Sequence, residues 1–273
     1  MRTSDIESGL RLCRAARWNQ VTADWELFLT TNPGGCHVAV SEEGSVIGTV
    51  ATIHYESFSW ISMVLVDPLY RRTGIGTRLL HQALATLSEV ASVRLDATPA
   101  GQGVYRPLGF HEDYPLHRMQ RAPAALPIKL EGRPRQMTPG DLDAVFKRDR
   151  EIFGGDRKNL LEMLYGEAPE YAWVTESRGI DGYLFGRHGY AFEQLGPLVA
   201  DTAVSAQQLV AACLSGHVDR PFIIDTPLHA SWVEWLQMKG FVTQRPFIRM
   251  SFGSRQFRER LDCMFAIAGP EFG

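Results

Sequence analysis

Apolar residues recur at helical spacing near the start of the chain. Ile6, Leu10, Leu12, Cys13 and Ala16 form one stripe between Asp5 and Ala16, which predicts an amphipathic helix. Thr22 is suited to cap a second helix whose Leu27 and Phe28 face inward. Asn32-Pro33-Gly34-Gly35 then breaks the pattern. Apolar runs follow at about 36–42, 46–55 and 58–66, separated by Glu43-Gly44 and the polar stretch around Glu56-Ser57. Connections this short predict an antiparallel meander. Beyond Asp67-Pro68 the helical period returns in Ile75, Leu79, Leu80, Ala83, Leu84 and Leu87, so 63–87 reads as strand, glycine loop and helix. Val93–Asp96 is the next strand, parallel to its predecessor because a whole helix lies between them. A short helix near 101–107 and a strand entered through Gly109-Phe110 complete one α/β unit.

Residues 121–136, RAPAALPIKLEGRPRQ, carry three prolines and four basic residues against one acidic. They have no sustained period and read as a linker, part of it crossing the next domain as a strand. The remainder repeats the first half. Asp141 answers Asp5, Leu198-Val199 before Ala200 answers Leu65-Val66 before Asp67, Ile224-Asp225 answers Leu95-Asp96, and Gly240-Phe241 answers Gly109-Phe110. The order is kept at offsets of 129 to 136, the signature of a duplicated domain. The same reading gives strands at 171–176, 180–187, 190–199, 220–225 and 241–250, with helices at 203–215 and 230–239.

The length of 273 residues accommodates two such units, and 45% hydrophobic residues can fill their cores. A formal charge of −3 argues against a general phosphate-backbone binder, so no nucleic-acid partner is expected. The four cysteines, at 13, 36, 213 and 263, are too scattered for a disulfide framework or a zinc knuckle. Neither a signal peptide nor an 18-residue apolar run is present, so a cytoplasmic protein without a membrane partner or metal is expected.

The segment Arg71-Arg72-Thr73-Gly74-Ile75-Gly76-Thr77 lies between a buried strand and an amphipathic helix. Its glycines allow a tight turn that points first-turn helix amides at one spot. Such a spot binds phosphate, with Arg71 and Arg72 able to add charge-assisted bonds. A tight strand-to-helix turn without a ligand is the alternative. A dinucleotide loop would need a third glycine where Leu79 stands, and a P-loop a longer spacing followed by Lys.

VLVDPLYRRTGIGTRLL at 64–80 closely resembles the coenzyme A pyrophosphate loop of the GCN5-related N-acetyltransferases. Its Gln/Arg-x-x-Gly-x-Gly/Ala pattern falls on Arg71, Gly74 and Gly76, and YRPLGF at 105–110 resembles the later Tyr-x-x-x-Gly-Phe motif. GPLVAD at 196–201, the IDTP strand end and the terminal AGPEFG resemble the degenerate domain that follows the catalytic one in a bacterial tandem subfamily. The resemblance implies a mixed α/β fold, a largely antiparallel sheet with flanking helices, in tandem. It implies a catalytic domain at 1–120, the linker, and a non-catalytic domain at 137–273. The family's fold opens with a strand ahead of the first helix. This chain reaches the helix almost at Met1-Arg2, so the first half is expected to lack that strand or to substitute for it.

The resemblance further implies that acetyl-CoA is held by amides of 71–77 and by strand amides at Val64, Leu65 and Val66. An amine would attack the thioester directly, with a strand amide near Leu65 at the oxyanion and Tyr105 protonating the departing thiolate. His54, Glu56 and Asp96 are candidates for the base. Asn19, Trp25, Phe28, Tyr55 and Trp60 are candidates for the acceptor pocket, the expected acceptor being a small primary amine or amino-acid-like compound. Other acyl-CoA donors, a protein amine acceptor and a non-catalytic CoA-binding sensor are the alternatives. The second half carries Ala200–Ala206 where the loop should be, without glycine or arginine. It is expected to pack on the first half and wall the acceptor pocket.

Overall fold

The computed structural model describes residues 1–123, 132–177, 179–254 and 259–273. The first half runs α1 (Ile6–Ala15), α2 (Thr22–Thr31), β1 (His37–Val40), β2 (Val46–Tyr55), β3 (Phe58–Val66), α3 (Ile75–Thr86), β4 (Ser92–Ala97), α4 (Pro99–Tyr105) and β5 (His111–Arg121). The second begins with β6 (Arg135–Gln136), α5 (Leu142–Phe153), α6 (Lys158–Glu167), β7 (Trp173–Glu176) and β8 (Ile180–Arg187). It continues through β9 (Glu193–Ala200), α7 (Ala203–Ser215), β10 (Phe222–Pro227), α8 (Ala230–Met238), β11 (Val242–Gly253) and β12 (Met264–Ala266). The short helix starts at Pro99, earlier than its periodicity suggests. Thr98 accepts from the Gly101 amide, and Pro99 needs no donor in the first turn.

The expected linker ends in strand at both sides, in β5 and in β6, and its residues 124–131 lie outside the described residues. β6 pairs with β7, and just past it Met137 N donates to Ala172 O at 2.9 Å. The matching donor of the first half is the Met1 amino group, which donates to Cys36 O at 2.8 Å. The duplication is therefore visible down to single bonds. It also shifts one register by a residue. Asp67 after β3 pairs with Arg11 of α1, and Asp201 after β9 pairs with Arg148 of α5, so Asp67 corresponds to Asp201 and not to Ala200.

All described strands join one 12-stranded sheet, in the order β1-β2-β3-β4-β11-β5-β10-β9-β8-β7-β6, with β12 on β9. Most neighbours are antiparallel; β3–β4 and β9–β10 are parallel, as the helical connections require. The last long strands are exchanged. β11 of the second half lies along β4, β5 of the first lies along β10, and the two pair with each other at the centre. Each exchange is marked by a buried bidentate ion pair. Arg249 on β11 donates Nε and Nη2 to Asp96 on β4, both at 2.9 Å. Arg118 on β5 donates to Asp225 on β10 at 2.8 and 2.7 Å. Burial pushes the Asp96 carboxyl up and Arg249 opposes that shift.

One apolar cluster lies on the α1/α2/α5/α6 face and includes Trp25, Phe28, Tyr55, Trp60, Phe153, Phe247 and Phe272. Smaller cores lie under α3 and under α7/α8. Removing one partner of a buried pair leaves a lone charge, so Arg249→Met is expected to cost about 3–5 kcal/mol in urea unfolding. The double variant Asp96→Asn/Arg249→Met should recover part of that loss. Losses that simply add would show that the pair is not coupled.

Candidate functional site

Parallel pairing between β3 and β4 is limited to Ser59↔Val93 and Trp60↔Arg94. Beyond it, Met63 takes φ +53°, the β2–β3 register slips between Thr49 and Ala51, and Thr49 Oγ1 donates to Met63 O at 2.7 Å. Such a bulge bends a strand and sends its later residues in a new direction. The facing stretches of β3 and β4 are left splayed, while β4 remains fully paired to β11 on its other edge.

The loop after β3 is set by its own side chains. Asp67 accepts from Leu69 N, Thr73 Oγ1 donates to Tyr70 O, and Arg71 Nε donates to Val66 O at 3.2 Å. Gly74 caps α3 at φ +85°, where a Cβ would meet nothing within 4 Å. Glycine is therefore needed here for its backbone angle, not for space. The first turn of α3 contains no acidic residue, so its free amides and positive dipole end are uncompensated locally.

A cavity of about 750 Å³ runs from this loop through the notch to the far face of the sheet. Arg71, Gly76, Val64–Val66 and Tyr105 line one end. Trp18, Gln20, Arg118, Arg245, Phe247 and Glu271 line the other, so both halves build the wall. Tyr105 stands edge-on to Phe110, and a Cβ at Gly101 would lie 2.8 Å from its ring. Burial pushes its hydroxyl up to about 12, so it keeps its proton throughout the neutral range.

Arg72, Thr73, Gly74, Ile75 and Thr77 shape the loop without lining the cavity, and Arg72 adopts φ +64°. His54 bonds Ser59 Oγ at 3.0 Å, and exposed Glu56 pairs with Arg150 at the β2–β3 turn. Neither residue lines the cavity. Asp96 does reach the cavity wall, but both its carboxylate oxygens are taken by Arg249.

The expected acceptor-pocket residues go elsewhere. Trp25 and Phe28 are wholly buried in the core between the halves. Tyr55 Oη donates to Phe272 O at 2.9 Å and Trp60 Nε1 to Pro270 O at 3.0 Å, so both pin the C-terminal segment. Asn19 accepts from Ala191 N and Phe192 N and donates to Phe192 O, clamping the α1–α2 loop to the second half. Its neighbours Trp18 and Gln20 are the ones that line the cavity.

Arg118, Arg245, Phe247 and Glu271 were missed from sequence. Glu271 falls within the terminal AGPEFG, the one available signal. The others sit on exchanged strands with no local motif. Among the described residues no cluster suits a metal, all four cysteines are buried free thiols, and no helix is long and apolar enough to cross a membrane.

In the second half the corresponding notch is filled by the chain itself. β12 lies along β9, and Ile267 N donates to Asp225 O at 2.9 Å across to β10. A Cβ at Gly196, φ +145°, would lie 1.9 Å from Ile267 O. Trp232 Nε1 and His229 Nε2 bond the carbonyls of Phe265 and Met264.

Comparisons with known proteins point to one family and one fold. Residues 7–110 match the model of the acetyltransferase (GNAT) family, and residues 145–266 match that of an acetyltransferase (GNAT) domain. The chain is 30% identical over 240 residues to the uncharacterized N-acetyltransferase YitH of Bacillus subtilis (strain 168), covering 82% of each. It is 25% identical to holothin acyltransferase of Pseudoalteromonas sp. (strain SANK 73390), over 95% of this chain and 88% of that protein. A crystal structure of a candidate acetyltransferase from Pyrococcus horikoshii superposes with a TM-score of 0.82 at 24% identity, covering all of this chain and 94% of that one.

The clamp on the α1–α2 loop is open to a direct test. Asn19→Ala leaves two amides unpaired and should cost about 1–3 kcal/mol of stability. Hydrogen exchange at Ala191 and Phe192 should accelerate in step; unchanged exchange would show that the clamp does not hold this loop.

Proposed function

The chain belongs to the GCN5-related N-acetyltransferase family, whose members use acyl-CoA, and from that premise we propose that its first half transfers acetyl from acetyl-CoA to the primary amine of a small molecule. One observation carries this reading: the α3 loop, the β3–β4 notch and Tyr105 open into a single cavity. Splayed strands with free edges, an uncompensated helix start and a folded-back Arg71 suit a molecule with a pyrophosphate and an amide-bearing arm.

In this reading Arg71 and the Gly76 amide, both on the cavity wall, hold the pyrophosphate, and backbone groups of Val64–Val66 align the arm. Bound acetyl-CoA supplies the thioester that the amine attacks. An amide near Leu65 steadies charge on the carbonyl oxygen. Tyr105, neutral and half-buried, holds the proton that the departing sulfur requires.

A non-catalytic second half is part of the proposal. Ala200–Ala206 offers neither glycine nor arginine at the loop position, and β12 with Ile267 already takes the backbone groups of the notch. The second half contributes instead to the wall of the first half's cavity, through Arg245, Phe247 and Glu271.

Calorimetry of the purified chain should show acetyl-CoA binding that is lost in Gly74→Trp. A longer acyl-CoA run alongside reads the donor preference, because a relative is named for acyl transfer in general. Unchanged binding in the variant would refute the loop assignment. Tyr105→Phe should lower kcat by about 10²-fold with cofactor affinity held. With acceptor saturating, wild-type kcat should show no alkaline loss near pH 10, where an ordinary phenol would ionise.

A further inference from the structure

At the acceptor end of the cavity, most charged groups on the wall are already matched. Arg118 is spent on Asp225, and Glu271 is bound by the buried Arg187, which also holds Asp24. Arg245 differs. Its guanidinium makes no hydrogen bond or ion pair with any described residue, its Nε is buried without a partner, and it lies 4.9 Å from the centre of the Phe247 ring. Arg118 stands against the same ring at 5.3 Å, so two guanidiniums crowd one aromatic side chain, and the ion pair to Asp225 belongs to Arg118. Burial and the neighbouring Arg118 pull Arg245 down to about 10, as expected of a cation short of counter-charge. The exposed Arg17 adds charge of the same sign at the rim.

The wall also holds a buried amide acceptor without a donor, Oε1 of Gln20, a residue 4% exposed, besides the unpaired Oγ of Ser62 nearer the notch. The glutamine is fixed from behind, because Arg14 donates to Gln20 O and to Trp18 O. An unpaired cation and an unpaired hydrogen-bond acceptor thus line the same cavity, with Trp18 and Phe247 as apolar surface. Leaving such groups unmatched is costly in a buried site, and a ligand that pairs both recovers that cost.

We propose that the acceptor is a carboxylate-bearing amine, its carboxylate held by Arg245 of the second half and its amino group donating to Gln20 of the first. A guanidinium fork matches a carboxylate in geometry and in single charge. A peptide N-terminus, with a neutral amide in place of the carboxylate, leaves Arg245 unmatched. This inference rests on the transferase reading for its naming of the bound molecule as acceptor; the anion subsite itself does not depend on turnover.

The test is equilibrium binding to the full chain in the presence of CoA, by ligand-detected NMR. The probes are the N-acetyl derivatives of the common amino acids and the matching N-acetyl amino acid amides. At least one acid is expected to bind about tenfold or more tighter than its amide. Arg245→Gln should weaken that acid by about 10- to 100-fold, leaving amide and CoA binding unchanged, and Arg245→Lys should keep part of the preference. If no acid is preferred, or if the preference survives in Arg245→Gln, the inference is overturned. Should the glutamine variant not fold, Arg245→Lys decides: a preference identical to wild type overturns it. A preferred acid whose free amino acid releases no thiol from acetyl-CoA would sustain the subsite and refute the transferase reading. Failure of the wild type to bind CoA would refute the reading of the loop independently.

Discussion

Two buried aspartate–arginine pairs hold the two halves of this protein to one sheet. Asp96 and Arg249 join β4 to β11, and Asp225 and Arg118 join β10 to β5. Neither pair lies within a single half. Each carboxylate sits at the end of a strand in one half and is matched only when the other half lends its last long strand. Paired and bidentate, the charges can be buried; apart, each would be a lone charge in an apolar layer. This demand fixes the register of the exchanged strands and makes the halves mutually dependent. From Asp225 the network continues through Gln194 to Arg187, and from there to Asp24 on α2 and to Glu271. A chain of polar contacts thus crosses the seam and ends at Glu271 on the cavity wall.

The exchange also explains why the cavity has a composite wall. β11 carries Arg245 and Phe247 just past the end of β4, opposite β5, because Arg249, further along the same strand, must reach Asp96. The C-terminal segment is held there by Tyr55 and Trp60, whose polar atoms bind its carbonyls, while Asn19 ties the α1–α2 loop to residues 191 and 192. Residues that looked like pocket aromatics are therefore the fastenings of the segments that form the pocket.

Much of the fold was legible locally. Periodicity located α1 through α3 and the β1–β3 meander within a few residues, and the spacing of Gly74 and Gly76 marked the loop before any coordinates. The duplication was legible from Asp96-Ala97-Thr98-Pro99 against Asp225-Thr226-Pro227. What could not be read was the pairing of strands distant in sequence. Asp96 carries the same local sequence whether it faces a substrate or Arg249, 153 residues away. Arg118, Arg245 and Phe247 follow ordinary strand alternation and gain meaning only from the exchange. His54 and Glu56 were attractive for their chemistry, yet their partners are Ser59 and Arg150 at the β2–β3 turn, off the cavity wall. Local pattern specifies elements; here the site is specified by contacts between halves.

The same bulged-strand geometry is resolved differently in the two halves, and the difference comes from backbone hydrogen bonding. A parallel pair that splays leaves donors and acceptors without a strand beside them, and buried backbone groups of that kind must be paired. In the second half the chain does this itself: β12 lies against β9, Ile267 reaches Asp225 O, and Gly196 lacks the side chain that would block the approach. Trp232 and His229 then hold the inserted carbonyls, so the insertion is built into the core. In the first half no described segment enters the notch between β3 and β4, and a cavity of about 750 Å³ stands there instead. Its edges must be satisfied by water or by a bound molecule of strand-like hydrogen-bonding character. The arm of an acyl-CoA has that character, and the same notch is the one that begins at a glycine-capped, uncompensated helix. One duplicated fold thus has one notch closed by its own chain and one left for a ligand, and the closed half is free to lend its strand and its tail to the open one.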